Sequence, residues 1–162
     1  MKSDRKRIIF IVALYALFIL GSITFYVVNP FDNKCIKGTC SSGYGVYRYH
    51  SGIVYEGDWE NGMKNGTGTL TYPNVYRYIG EWKNNKKNGF GILVYDTGAH
   101  YMSRYEGEWK DGNMHGKGTI IYKKGNHFIG EMRNGHRHGK GTITYPDGRI
   151  FSGEWINDKR KY

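Results

Sequence analysis

Residues 55–74 read YEGDWENGMKNGTGTLTYPN, and this pattern of tyrosine, glycine and tryptophan returns along most of the 162-residue chain. Five Gly-x-Gly pairs occur, with first glycines separated by 23, 23, 27 and 23 residues, and a tyrosine follows each second glycine by four positions. The first glycines of the pairs are Gly43, Gly66, Gly89, Gly116 and Gly139. Such a period is typical of repeat proteins, in which each supersecondary unit packs against its neighbours.

Each unit is predicted to form a β-hairpin. The aromatic-x-Gly-x-Trp phrase, YEGDW from Tyr55, is the first strand and Gly-x-Gly-x-x-x-Tyr is the second, with turn dipeptides such as Asn61-Gly62 nearby. Alternation along each strand places the aromatic residues and glycines on one face and the carboxylates and threonines on the other. A large ring lies flat over a neighbouring strand only where that strand lacks a Cβ, so we expect rings over glycines.

The composition supports an all-β repeat and excludes two other classes. The chain has 24 glycines and 16% aromatic residues, a mixture unfavourable for a helix bundle and too aromatic for a disordered chain. No amphipathic helical pattern follows residue 28. We therefore predict a single-layer, twisted antiparallel meander of β-hairpins over residues 35–162, with about five units and one aromatic face.

An apolar segment precedes the repeats. Residues 8–28 contain no charged side chain, and 21 helical residues would span about 31 Å, close to the hydrocarbon thickness of a bilayer. Basic residues in the tail 1–7 would keep the N-terminus in the cytoplasm and place the repeats on the periplasmic or extracellular side. This interpretation is a signal anchor, a single transmembrane helix followed by a linker at 29–34; the alternative is a cleaved signal peptide.

The phrases YEGDWENGMKNGTGTLTYPN and YEGEWKDGNMHGKGTIIYKKG closely resemble the MORN repeat (membrane occupation and recognition nexus). The resemblance covers roughly residues 33–162. It implies an array of β-hairpins used for scaffolding, for homo-dimerisation or for attachment near membranes, with phospholipid binding often proposed. The chain departs from the pattern at several positions, including Met132 in place of tryptophan, Val75 in place of a turn glycine and Asn85 in place of glycine.

The aromatic face is the candidate surface for a protein partner or a second copy of the chain, because no helix in the repeat region covers it. Some of its rings should be used by the glycine positions within the sheet. The candidate partner-binding residues are Tyr55, Trp59, Tyr72, Tyr78, Trp82, Tyr95, Tyr105, Trp109, Tyr122 and Tyr145.

Basic residues near the hairpin turns form a second candidate surface. The chain carries a net charge of +10, and a positive rim of the sheet would attract anionic phospholipid or an acidic partner. Nucleic acid is not expected, because the predicted topology removes the domain from the cytoplasm. The candidate rim residues are Lys83, Lys86, Lys87, Arg133 and Arg137.

Catalysis, cofactors and metals are not predicted. The sequence has no Ser/His/Asp constellation and no phosphate-binding loop before a helix. A carboxylate recurs in every unit, as in Glu131, which fits a lattice role such as pairing with Lys117 or Lys140. The two cysteines, Cys35 and Cys40, are interpreted either as a disulfide or as free thiols, since a zinc site would need two more ligands.

Overall fold

The structure, a computed structural model, describes residues 14–19, 22–27, 33–96 and 100–161. Strands β1 (Leu14–Ile19) and β2 (Ser22–Val27) pair with each other in a separate two-stranded sheet. The other twelve strands form one antiparallel sheet in which each strand pairs with the next along the chain. They are β3 (Lys34–Gly38), β4 (Gly43–Arg48), β5 (Val54–Glu60), β6 (Met63–Tyr72), β7 (Tyr76–Lys83), β8 (Lys86–Tyr95), β9 (Met102–Lys110), β10 (Asn113–Tyr122), β11 (His127–Arg133), β12 (His136–Thr144), β13 (Ile150–Ile156) and β14 (Lys159–Arg160).

The predicted all-β meander is therefore confirmed, but the helix predicted over residues 8–28 is not. Where the structure describes that segment, it has the strands β1 and β2, and the rest of the segment lies outside the described residues, as does the tail 1–7. Within the described ranges, no helix has the length and apolar character needed to cross a membrane. Residues 29–32 of the predicted linker 29–34 lie outside the described residues, and β3 begins at Lys34.

Tight turns with two left-handed residues join the strands of each hairpin. Asn61 and Gly62 have φ values of 50° and 73°, as a two-residue type I′ turn requires. Asn85 replaces glycine at the second position with a φ of 68°, and its Oδ1 accepts a hydrogen bond from the Lys64 amide at 2.9 Å. Asparagine tolerates this conformation, and its side chain also ties the turn to the preceding unit.

A row of glycines crosses the sheet at one register. Gly57 pairs with Gly68, Gly68 with Gly80, and Gly80 with Gly91, and the row continues in the same way to Gly153. The predicted match of rings to glycines is confirmed on this row. A Cβ built on Gly68 would lie 2.5 Å from the Tyr55 Cζ atom, so only glycine leaves room for the ring.

The core lies along the aromatic face of this single layer. A ladder of apolar residues on that face is buried at Leu93, Ile120 and Ile143 and partly buried at Tyr47 and Leu70. Contacts between neighbouring units create this burial, since no second layer covers the face within the described residues. The four-residue insertion extends the sheet as well as the loop, because its Met102 begins β9 and is 2% exposed.

Candidate interaction surfaces

The rings of three recurring tyrosines lie over the row of glycines and are completely buried there. Tyr55, Tyr78 and Tyr105 are each 0% exposed. The Tyr55 hydroxyl donates to the Asp58 carbonyl at 3.1 Å, and the other two make the equivalent bond to a residue three positions later. Burial raises the pKa of all three hydroxyls. These tyrosines belong to the interior of the sheet.

The tryptophans connect one unit to the preceding one. Trp82 Nε1 donates to the Gly68 carbonyl at 3.2 Å, and its ring meets Tyr55 of the preceding unit and Tyr78 of its own unit edge-to-face at 5.4 and 5.1 Å. Trp59, Trp109 and Trp155 make equivalent bonds. Met132 has no donor for this bond, so at this position the side chain contributes only apolar packing to the contact between units.

Six of the ten predicted partner-binding rings therefore lie in the sheet's own core. They are Tyr55, Trp59, Tyr78, Trp82, Tyr105 and Trp109, none more than 7% exposed. Their burial leaves no surface for a partner, which corrects the expectation that the face stays open there. The other four, Tyr72, Tyr95, Tyr122 and Tyr145, are half-buried or exposed at the ends of their strands.

A stack of rings connects three of these strand ends. Tyr72 stacks on Tyr76 with centroids 5.4 Å apart, and Tyr95 stacks on His100 at 3.9 Å. The stack continues from His100 to Tyr101 at 4.7 Å. Sequence analysis did not single out Tyr76, His100 or Tyr101, although the 27-residue spacing marked the insertion that supplies the last two.

Cations cover the rings from above. In each of the turns with two left-handed residues, except the one before Met114, the residue two positions after the second left-handed residue is a lysine or arginine. It lies over rings of its own unit and of a neighbouring unit. Lys64 Nζ is 5.1 Å from the Trp82 ring and Lys87 Nζ is 4.6 Å from the Trp109 ring. Arg137 and Arg160 hold the corresponding positions. Cations in this geometry are attracted by the negative ring faces.

The predicted basic rim is therefore divided. Lys87 and Arg137 lie on the aromatic face, so their assignment to the rim is corrected. Lys83, Lys86 and Arg133 are exposed at the turn edge. Lys83 and Lys86 line a groove of about 560 Å³ there, and Lys86 Nζ is 3.9 Å from a carboxylate oxygen of Asp111.

The outer face, opposite the aromatic core, carries an exposed apolar patch that sequence analysis did not single out. Phe90 is 51% exposed and Ile129 is 64% exposed. Both line a groove of about 470 Å³. Ile79 is also exposed, on β7, the strand that pairs with the β8 strand of Phe90. The alternation of strands was visible in the sequence, but the threonines that dominate this face elsewhere concealed the apolar positions.

The recurring carboxylates of the units before β13 bind backbone amides rather than lysine side chains, whereas Glu154 on β13 pairs with the Lys161 ammonium at 2.9 Å. The Glu108 carboxylate accepts the Lys117 amide hydrogen at 2.8 Å, and the Glu131 carboxylate accepts the Lys140 amide hydrogen at 3.3 Å. Lys117 lies opposite Glu131 in the register, yet the ion pairs within the described residues include neither Lys117 nor Lys140. The predicted ion pairing is corrected: the carboxylates satisfy amides exposed by the bulge at each Gly-x-Gly pair.

Cys35 and Cys40 are joined by a disulfide with Cα atoms 5.8 Å apart. A Cβ on Gly45 would lie 2.9 Å from Cys40 Sγ, so the disulfide occupies the place over glycine that a ring fills in later units. Cys40 also packs against the buried cluster. The bridge thus closes the first-unit end of the core. Within the described ranges, no three His, Cys, Asp or Glu side chains are grouped to hold a metal ion.

The repeat sequence is similar to that of a known family. The MORN repeat matches at six places, residues 41–54, 55–74, 78–100, 105–127, 128–148 and 151–161. These matches cover more than half of the chain, so the protein belongs to the MORN-repeat family. The match counts partial units at both ends, where sequence analysis counted about five units. A comparison with curated proteins gives no match.

Proposed function

We propose that this chain is a non-catalytic interaction module that binds a protein, either a different partner or a second copy of itself. MORN repeats are generally protein- or membrane-interaction modules. The observation that carries the proposal is the exposed patch around Phe90 and Ile129. Their side chains point away from the buried cluster of the twelve-stranded sheet, and no described residue covers them. Exposed apolar side chains that line one groove in this way commonly mark a binding site.

The neighbours of the patch favour a protein as the occupant. Its groove is also lined by Glu106, Lys117 and Lys140, so both signs of charge surround an apolar centre. An apolar centre with a polar rim is the usual organisation of a protein–protein interface. A phospholipid surface would favour a uniformly basic surround instead.

Site-specific crosslinking of the full-length protein tests this proposal. A photoreactive phenylalanine at position 90 should crosslink to a protein in its native membrane or cell extract, and mass spectrometry would distinguish another protein from a second copy. Ile129→Thr should abolish the adduct while preserving the fold, because Thr119 and Thr142 occupy neighbouring positions of the same register row. Equal crosslinking from position 150, where Ile150 is 67% exposed on β13, would refute a specific interface.

The exposed lysines at the turn edge support a second candidate function, binding to anionic phospholipid. Lys83 and Lys86 project into one groove, and Arg133 lines another with His136 and His138. Full-length protein should bind vesicles containing phosphatidylserine more tightly at 50 mM than at 300 mM salt, because screening shortens the range of attraction. Lys83→Gln with Lys86→Gln should weaken binding, while Lys64→Gln, whose cation faces rings, should not. Salt-independent binding would reject this function.

A location at a membrane is a separate proposal that rests on the uncharged segment 8–28. Its test is extraction of the native membrane fraction at high pH, after which an integral protein stays in the pellet. Release of the protein into the supernatant would reject the anchor, and an N-terminus beyond residue 28 by mass spectrometry would show cleavage. Neither result bears on the patch around Phe90.

A further inference from the structure

Two departures from the repeat create a cleft that is particular to one unit. The insertion brings His100 and Tyr101 to the strand ends, and Met114 stands where the other units have a lysine or arginine. A shorter, uncharged side chain beside inserted rings leaves a cleft of about 270 Å³. The residues that shape it are Lys87, Tyr95, His100, Tyr101, Trp109 and Met114.

Lys87 is the one charged group that lines this cleft. Its Nζ lies 4.6 Å from the Trp109 ring centre, 5.0 Å from that of Tyr78 and 5.3 Å from that of Tyr76. The side chain is half-buried, and within the described residues Nζ has no hydrogen-bond or ion-pair partner. Ring faces attract the cation but do not replace the anion or acceptor that a desolvated charge normally finds.

The equivalent cations of the other units all have such a partner. Lys64 Nζ donates to the Tyr49 hydroxyl at 3.4 Å. Arg137 Nε lies 3.1 Å from Asp158 Oδ1, and Arg160 bonds to the Tyr145 hydroxyl. Burial lowers the pKa of the Lys64 amine and lowers that of the Lys87 amine to about 8. An anion bound in the cleft would oppose that effect.

We propose that this cleft binds a small carboxylate with a flat ring as its body, the carboxylate against the Lys87 ammonium and the ring among the aromatic residues of the wall. Aromatic groups pack favourably against other rings, either offset or edge-to-face. A single ammonium matches one negative charge, whereas a dianionic phosphate would bring a second charge into a half-buried site without a partner.

The size of the cleft limits the ligand to one ring. Water takes about 30 Å³ in the liquid, so a cleft of about 270 Å³ holds a ligand of roughly ten non-hydrogen atoms. Ligands of that size with one charge contact bind in the range of about 0.1–10 mM. The site is independent of the proposed protein interface, since Phe90 and Ile129 lie on the opposite face of the sheet.

Titration of the full-length protein with benzoate tests the proposal, with saturation-transfer NMR and tryptophan emission as readouts. Benzamide, which has the same shape without the charge, should bind at least tenfold more weakly. Lys87→Met should lower benzoate affinity at least tenfold, and the matched Lys64→Met should change it less than twofold. Met114 shows that the repeat accommodates methionine at this position, and circular dichroism would verify folding.

Tyr101→Ala provides a second variant if Lys87→Met fails to fold. Tyr101 is 65% exposed, so the fold should survive its truncation while the cleft loses part of its wall and benzoate affinity falls at least threefold. Three results would each overturn the proposal: no saturable benzoate binding, equal affinity for benzamide, or unchanged affinity in the folded variants.

Discussion

The units that carry tryptophan and the unit that carries Met132 solve the same packing problem with different side chains. Trp82 and Trp109 each donate a hydrogen bond to a glycine carbonyl of the preceding unit and lie under a lysine. Met132 is equally buried, at 4% exposure, but makes no such bond, and the residue in the cation position before it is Met114. The comparison indicates that in Trp82, Trp109 and Trp155 the bond and a covering cation form one device, which the Met132 unit lacks. Trp59 makes the bond with no cation over its ring among the described residues.

Truncating the side chain at the tryptophan position is the most direct test of whether the two kinds of unit differ in stability. Trp109→Ala should lower the free energy of unfolding by about 4 kcal/mol, since it removes a large buried ring and its hydrogen bond. Met132→Ala should cost about 3 kcal/mol, since only packing is lost. Urea unfolding followed by circular dichroism measures both. Equal losses would show that the hydrogen bond and the cation contribute nothing.

Substitutions in the row of glycines extend the comparison, because the tryptophan units and the methionine unit share that row. A Cβ on Gly91 would lie 2.6 Å from the Tyr78 Cζ atom, and one on Gly118 would lie 2.5 Å from Tyr105. Gly91→Ala and Gly118→Ala should each cost about 3 kcal/mol, at the upper end of the penalty for overpacking. Gly107→Ala, on the same row, provides an internal repeat of the measurement. A loss below 1 kcal/mol would mean that the rings move aside easily.

The pH dependence of stability separates Lys87 from the methionine that replaces its counterpart. The pKa of the Lys87 amine is about 8 when folded, against the rings of Tyr76, Tyr78 and Trp109, and about 10.4 when unfolded. Between these values the unfolded chain binds more protons, so this group makes stability increase with pH. From pH 7.5 to 9.5, the wild type should gain about 2 kcal/mol relative to Lys87→Met. The buried tyrosines act in the opposite direction only above about pH 10, where the unfolded hydroxyls ionise. A constant difference between the two proteins would contradict the assignment.

Building the missing device into the methionine unit is the smallest and most specific test. Met132→Trp alone should be neutral or destabilising, because the new ring enters a space packed for methionine. Adding Met114→Arg should make the double variant about 0.5 kcal/mol more stable than the sum of the two single effects predicts. This is the usual contribution of a cation over an aromatic ring at an exposed site. A double-mutant cycle in urea gives this coupling directly. Strict additivity would show that the two positions do not cooperate.

Much of the fold was predictable because it depends on local patterns. The period, the alternation and the type I′ dipeptides predicted the hairpins, and the absence of a Cβ at positions such as Gly68 predicted where the rings lie. The exposure of each ring was harder to predict. Lys86 and Lys87 are adjacent in sequence, yet one faces solvent and the other covers rings, because successive side chains of a strand point to opposite faces and the register pairs Lys87 with Trp82.

The rest of the candidate sites could not be predicted from the sequence, because they depend on the conformation of the insertion. The spacing of 27 marked extra residues, but nothing in the sequence predicts that His100 stacks on Tyr95 or that Met102 enters the core. These contacts depend on where the longer connection returns to the sheet, which is a tertiary property. The helix expected over 8–28 was predicted from hydropathy, whereas the structure has the strands Leu14–Ile19 and Ser22–Val27 in that segment. Apolar runs rich in β-branched and aromatic residues are compatible with either a helix or a strand.

The tryptophan bond to the preceding glycine carbonyl has a consequence for how such chains change length. Each interior tryptophan unit offers a glycine carbonyl to the following unit and donates its indole N–H to the glycine carbonyl of the preceding unit. A duplicated block of 23 residues inserted between two such units would find a glycine carbonyl to accept its tryptophan bond on one side and a tryptophan to donate to its own glycine carbonyl on the other. Growth or loss by whole blocks thus leaves the terminal closures untouched, and the array length is free to drift in evolution while the architecture stays constant.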